Sequence, residues 1–183
     1  WLPLDCDAKP CPAVLEFIPY RKRDHTATRD WGIHGFLAER GFAGVRVDMR
    51  GSGDSEGLDD ASLAYDDACA ILAWLAAEPW CDGNLGMIGL SWGGINALLA
   101  AERKPPGLKA VVATAFSYDR FSIGMGRKNG AILNENLAWV AACTGFTSRP
   151  PDPLVVGEGW REMWLARLNA MTEYAVTSIG QQR

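Results

Sequence analysis

A serine flanked by glycines is the strongest chemical signal in the sequence. Residues 89–93 have the spacing G-x-S-x-G around Ser91, with an apolar segment before them and a helical pattern after them. This strand–turn–helix setting is typical of a nucleophile elbow, which exposes a serine hydroxyl on a tight turn. The backbone N–H of Trp92 would then face the oxyanion formed during acyl transfer. An ordinary strand–helix turn with an incidental serine is the less favoured interpretation.

The histidines do not complete this site. A serine hydroxyl needs a base to accept its proton. The sequence contains two histidines, His25 and His34, and both precede Ser91. Proteins with this elbow carry their triad in the order serine, acid, histidine. We therefore expect neither histidine to be the base.

A second glycine-rich segment, residues 51–57, could be mistaken for a dinucleotide-binding loop. The spacing G-x-G-x-x-G fails, because Glu56 stands where the third glycine should be. We interpret the segment as a structural turn, which disfavours a nucleotide-binding α/β protein.

Composition narrows the class of protein. The 183 residues are 48% hydrophobic and 22% charged, as in folded domains. With 18 basic and 22 acidic residues the net charge is −4, which argues against nucleic-acid binding. We find no apolar run long enough for a membrane span and no leader after Trp1, so we expect a cytoplasmic protein without membrane contact.

The five cysteines lack metal-site spacing, and we expect no metal, cofactor or disulfide. They are Cys6, Cys11, Cys69, Cys81 and Cys143.

Hydrophobic patterning predicts alternating strands and helices in the first part of the chain. The strands are predicted at 13–18, 42–48, 85–90 and 108–114, and the helices at 29–40, 64–75 and 93–103. Such alternation predicts a parallel sheet with helices on both faces. Two helices, 131–143 and 158–171, are predicted later, with no further strand. We therefore divide the chain into a core, 1–116, and a helical insert, 117–183.

Several segments resemble the CocE/NonD family of α/β-hydrolases, which includes X-Pro dipeptidyl-peptidases and cocaine-esterase-type enzymes. Residues 16–24 resemble the segment before the family's first helix, and residues 45–57 resemble its D-x-R-G-x-G-x-S-x-G loop. Residues 73–81 and 86–94 match as well. The resemblance runs from Leu2 to Leu168. It implies an α/β-hydrolase fold, in which residues after 116 begin a helical cap.

The resemblance also implies roles for individual residues. Ser91 would be the nucleophile, and the Tyr20 hydroxyl would join the Trp92 N–H in the oxyanion hole. The family's acid and histidine lie beyond the cap, so we expect this sequence to be a fragment, truncated at both ends. Asp119 follows the fourth strand, where some lipases place their acid, but the family does not. Two segments, 121–128 and 170–183, depart from the family pattern.

Two functions remain open from the sequence. The first is a serine hydrolase acting on a small-molecule ester or a peptide. Release of X-Pro dipeptides is the leading activity, and cleavage of acyl esters is close behind. The second is a non-catalytic binding module with the same fold, which the missing histidine suggests. The sequence predicts no oligomeric state.

Overall fold

The structure, a computed structural model, describes residues 1–60, 62–117, 119 and 127–180. Its centre is a four-stranded parallel sheet in the order β2-β1-β3-β4. The strands are β1 (Cys11–Phe17), β2 (Ala43–Val47), β3 (Cys81–Leu90) and β4 (Leu108–Thr114). Three helices connect them: α1 (Ala27–Ala38), α2 (Ala64–Ala77) and α3 (Trp92–Glu102). The predicted alternation and parallel sheet are therefore confirmed.

The hydrophobic core lies around the two central strands. Leu15 of β1 and Met87 of β3 are at most 1% exposed, as expected for parallel strands covered by helices. Leu72 and Leu75 of α2 and Ala97 of α3 belong to the same buried cluster. The core thus fixes the ends of β1 and β3. Tyr20 lies in the segment after β1, and Ser91 lies in the turn after β3.

A cluster of buried charges joins β1, β2 and α1. The Arg46 guanidinium lies 3.1 Å from Asp30 and donates a hydrogen bond of 3.0 Å to the carbonyl of Ile18. Arg29 donates to the Glu16 carboxylate at 2.7 Å. Buried charges are tolerated when each is paired and hydrogen-bonded in this way. The cluster holds the outgoing end of β1 against α1.

The prediction that no strand follows Thr114 is wrong. A short antiparallel hairpin pairs β5 (Arg127–Lys128) with β6 (Ala131–Ile132). Its turn is Asn129-Gly130, with φ angles of 49° and 81°. An asparagine–glycine pair favours a tight hairpin turn because both residues tolerate positive φ. The strands are two residues long, too short to show a periodic pattern.

The hairpin also displaces the next predicted helix. α4 (Glu135–Thr147) starts four residues later than predicted and ends four residues later. The last predicted helix, 158–171, is observed as α6 (Trp160–Gly180), which starts two residues later and ends nine residues later than predicted. A short helix, α5 (Pro153–Val156), and a 3-10 turn (Gly157–Gly159) precede it and were not predicted as separate elements. The side chain of Asp152 caps α5 by accepting from the N–H of Leu154 at 2.9 Å. None of the helices among the described residues combines the length and hydrophobicity needed to cross a bilayer.

Candidate active site

Ser91 occupies a strained turn between β3 and α3. Its φ and ψ angles are 56° and −119°, a conformation that residues other than glycine rarely adopt. The Ser91 N–H donates to the carbonyl of Thr114 at 2.9 Å, while its own carbonyl accepts from Gly94 at 3.0 Å and begins α3. The strand, the neighbouring strand and the helix together maintain the strain. This is the geometry expected of a nucleophile elbow.

Both glycines of the motif are closely packed, and close packing excludes a side chain at Gly89. A Cβ atom added at Gly89 would lie 2.1 Å from the backbone of Gly93, a separation that cannot be relieved without moving the turn. A Cβ atom at Gly93 would lie 3.1 Å from the side chain of Ile18. The turn can therefore be this tight only with glycine at position 89, and Gly93 lets α3 approach the end of β1.

Tyr20 reaches Ser91 from the loop after β1. Its hydroxyl lies 3.3 Å from the Ser91 Oγ, at hydrogen-bond distance. Burial raises the pKa of Tyr20 above 10.0, although hydrogen bonds from Ser91 and from the Trp92 N–H act in the opposite direction. The hydroxyl therefore keeps its proton at pH values where an ordinary tyrosine ionises. The structure thus brings Ser91, Tyr20 and the Trp92 N–H together.

An aromatic wall, contributed by α4, surrounds the Tyr20 ring. Trp139 and Phe146 pack edge-to-face on Tyr20, with ring centroids 5.9 Å and 5.6 Å away. Cys143 lies with them, and burial raises the pKa of its thiol to about 11. None of these three residues was predicted from the sequence to belong to the site. Their spacing, which places positions 139, 143 and 146 on one helix face, is the signal that could have found them.

Arg21 ties the Tyr20 loop to the segment after α4. Its guanidinium donates to the carbonyls of Arg149 at 3.2 Å and Pro150 at 2.9 Å, and it pairs with Asp24 at 3.0 Å. Arg21 also has a positive φ of 55°. The backbone therefore changes direction sharply just after Tyr20, and the buried guanidinium stabilises that change.

Neither histidine is hydrogen-bonded to Ser91. His25 is exposed and stacks on Phe146 at 5.3 Å, while His34 is fully buried and stacks on Trp1 at 4.9 Å. Among the residues that the structure describes, Tyr20 is the one side-chain hydrogen-bond partner of the Ser91 hydroxyl. The structure therefore brings no histidine of this chain to the serine.

Three further expectations from the sequence concern the part of the chain after β4. Asp119 is exposed in the segment after β4, and its carbonyl accepts from the Ser117 hydroxyl at 2.9 Å. Its expected non-catalytic status stays a prediction. Most of segment 121–128, where the family pattern is lost, lies outside the described residues. The division of the chain near residue 116 also stays a prediction.

The family model described as X-Pro dipeptidyl-peptidase (S15 family) matches residues 1–181. This chain belongs to the S15 family. The match extends beyond the region 2–168 indicated by the motifs and spans segment 121–128 and most of segment 170–183.

Individual relatives of this S15-family chain include esterases. The cocaine esterase of Rhodococcus sp. (strain MB1 Bresler) is 35% identical over 150 residues, covering 76% of this chain and 25% of that protein. A solved α-amino acid ester hydrolase is 26% identical, with a TM-score of 0.63 over 81% of this chain and 27% of that one. The chain therefore spans about a quarter of the length of these relatives.

A third comparison concerns the fold alone. A CocE/NonD family hydrolase from Staphylococcus aureus is 24% identical, with a TM-score of 0.52 over 62% of this chain and 24% of that one. Together with the parallel sheet and its flanking helices, these matches confirm the predicted α/β-hydrolase fold.

Proposed function

We propose that this S15-family protein is a serine hydrolase that cleaves ester or amide bonds through an acyl-enzyme on Ser91. The observation that supports this most strongly is the Tyr20 hydroxyl 3.3 Å from the Ser91 Oγ, at a strained elbow beside the Trp92 N–H. A nucleophile and two donors that converge on one point are the components needed to attack a carbonyl and to stabilise the resulting oxyanion.

In the proposed mechanism the Ser91 Oγ attacks the substrate carbonyl carbon, and its proton passes to a base. The carbonyl oxygen becomes an oxyanion, which accepts hydrogen bonds from the Trp92 N–H and the Tyr20 hydroxyl. Collapse of this intermediate expels the leaving group and leaves the acyl group on Ser91. Water then repeats the attack and releases the acid.

The base is proposed to lie in the portion of the family's length that this chain does not span. Neither His25 nor His34 contacts Ser91, whereas the resemblance to the family implies an acid and a histidine after the cap. The proton transfer therefore requires residues of the full-length protein.

Two substrate classes have support. The family description favours release of X-Pro dipeptides, which cleaves an amide bond. The identity with a cocaine esterase over 76% of the chain favours acyl esters as the second candidate. The wall formed by the buried Phe146 and the partly buried Trp139 and Cys143 suits an apolar group beside the reacting carbonyl in either case.

The test is covalent labelling of the full-length protein with a fluorophosphonate probe. We expect one labelled residue, Ser91, and no label in Ser91→Ala. Ser62→Ala, which removes an exposed hydroxyl from the same chain, is the matched control and should label normally. Labelling that survives Ser91→Ala would contradict the assignment. Ala-Pro-p-nitroanilide and p-nitrophenyl esters then separate the two substrate classes.

A non-catalytic binding module is the alternative, motivated by the absence of a histidine near Ser91. It predicts a folded full-length protein that reacts with no fluorophosphonate and hydrolyses neither substrate. Sequencing the gene downstream distinguishes the two cases early, because the hydrolase requires an aspartate or glutamate followed by a histidine.

A further inference from the structure

The glycine-rich loop of residues 51–57 contacts the segment that carries Tyr20. Ser52 is 5% exposed, and its hydroxyl donates a hydrogen bond of 2.5 Å to the carbonyl of Pro19. Proline has no N–H, so this carbonyl is the one backbone hydrogen-bonding group of residue 19. The Ser52 hydroxyl therefore tethers the residue immediately before Tyr20.

The residue two positions after Tyr20 is held from the same side. The N–H of Lys22 donates to both carboxylate oxygens of Asp48, at 3.0 Å and 3.1 Å. Gly53 packs directly on that carboxylate, where an added Cβ atom would lie 2.2 Å from an oxygen of Asp48. The strand end before the loop and the loop itself thus act on the backbone on both sides of Tyr20.

This arrangement matters because the Tyr20 hydroxyl lies at the far end of a long side chain. A small rotation of the backbone at residues 19–22 becomes a larger displacement of the phenol oxygen. A donor stabilises an oxyanion only when it lies about 2.7–3.1 Å from it. The position of the donor is therefore sensitive to how residues 19 and 22 are held.

We propose that Ser52 is a positioning residue for the Tyr20 oxyanion donor, acting through the carbonyl of Pro19. This inference rests on the proposed function. It assigns the glycine-rich loop a role beyond forming a turn, namely fixing the loop after β1 in the geometry that the reaction requires. A structural role alone would affect stability without a specific connection to Tyr20.

The experiment is a double-mutant cycle in the full-length protein. Ser52→Ala should lower kcat about 10-fold to 100-fold, as expected for a displaced catalytic group, with KM changed less than about twofold. In a Tyr20→Phe background the same substitution should cause little further loss, because the donor that it positions is already absent. Equal losses of kcat in both backgrounds would overturn the proposal, as would an unchanged kcat in Ser52→Ala.

Two further variants control for folding. Ser62→Ala removes an exposed hydroxyl beyond the loop, one that donates to the Asp60 carboxylate at 2.6 Å and does not reach residues 19–22. It should leave kcat within about twofold, in line with a local loss. Should Ser52→Ala not fold, Ser52→Cys replaces the hydroxyl by a larger and weaker donor and should still lower kcat. A Ser52→Cys enzyme with wild-type kcat would overturn the positioning role.

The outcomes separate this proposal from the proposed function. A wild-type protein that neither labels at Ser91 nor turns over substrate refutes both. If the wild-type enzyme is active but Tyr20→Phe leaves kcat unchanged, Ser91 remains the nucleophile, and the roles proposed for Tyr20 and Ser52 are overturned. An active enzyme with a Tyr20 effect and no Ser52 effect overturns the positioning role alone.

Discussion

The side-chain amide of Asn96 donates a hydrogen bond of 2.9 Å to the backbone carbonyl of Phe17. Asn96 lies in α3, five residues after Ser91, and Phe17 is the last residue of β1, three positions before Tyr20. Both partners are at most 2% exposed. The bond therefore connects the helix that follows the elbow with the strand that leads to Tyr20, and it stabilises their relative position.

We predict that Asn96→Ala lowers the free energy of unfolding by about 1–3 kcal/mol, because it leaves the buried carbonyl of Phe17 without its partner. Urea-induced unfolding of the full-length protein measures the loss. Asn84→Ala, at an exposed asparagine, is the control and should change stability by less than about 0.5 kcal/mol. Equal effects of the two substitutions would show that the bond to Phe17 contributes nothing specific.

Tyr20→Phe removes the phenol donor and retains the aromatic packing against Trp139 and Phe146. In the full-length enzyme we expect kcat to fall about 10²-fold to 10³-fold, the usual result of losing one oxyanion donor. The circular dichroism spectrum and the thermal midpoint should remain close to those of the wild type. Steady-state kinetics provides the measurement.

Tyr65→Phe is the matched control for this substitution, since Tyr65 lies in α2, outside the candidate site. Its kcat should equal that of the wild type. If Tyr20→Phe retained full turnover, Tyr20 would be an aromatic packing residue and the oxyanion would rely on other donors.

The sequence predicted the parts of the molecule whose structure is determined by residues close together in the chain. The parallel sheet follows from short apolar segments alternating with helices, and the elbow follows from glycines at positions 89 and 93. Tyr20 required the family resemblance, because nothing local marks a loop tyrosine as a donor. Its neighbours Ser52 and Phe146 contact that segment from 33 and 126 positions away in the chain, and a single sequence carries no local trace of such contacts.

Cys143 provides a prediction that concerns pH. Burial raises the pKa of its thiol to about 11, from an ordinary value of 9.0. At pH 8 the folded protein then holds roughly 100-fold less thiolate at this position than an ordinary cysteine would, and the thiolate is the reactive form. We expect alkylation by iodoacetamide to be slower by about that factor, as followed by peptide mass spectrometry.

The control for Cys143 is the same residue in urea-unfolded protein, where the burial is lost. Its alkylation rate should then rise to that of an ordinary cysteine at the same pH. Rapid alkylation in the folded protein would mean that the wall formed with Trp139 and Phe146 is open to solvent.

The 183-residue chain by itself should show no hydrolase turnover above background. His25 stacks on Phe146 and His34 is buried against Trp1, so neither is placed to accept the Ser91 proton. Losing the base of a triad costs about 10⁶-fold in rate, since its members act as a unit. The oxyanion donors alone leave a rate enhancement of about 10³-fold over the reaction in water, too little for an ester assay.

The assay for this prediction uses p-nitrophenyl esters and Ala-Pro-p-nitroanilide with the purified chain, and Ser91→Ala is the control. Turnover that depends on Ser91 and is lost in His25→Ala or His34→Ala would show that one of these histidines moves to the serine and serves as its base.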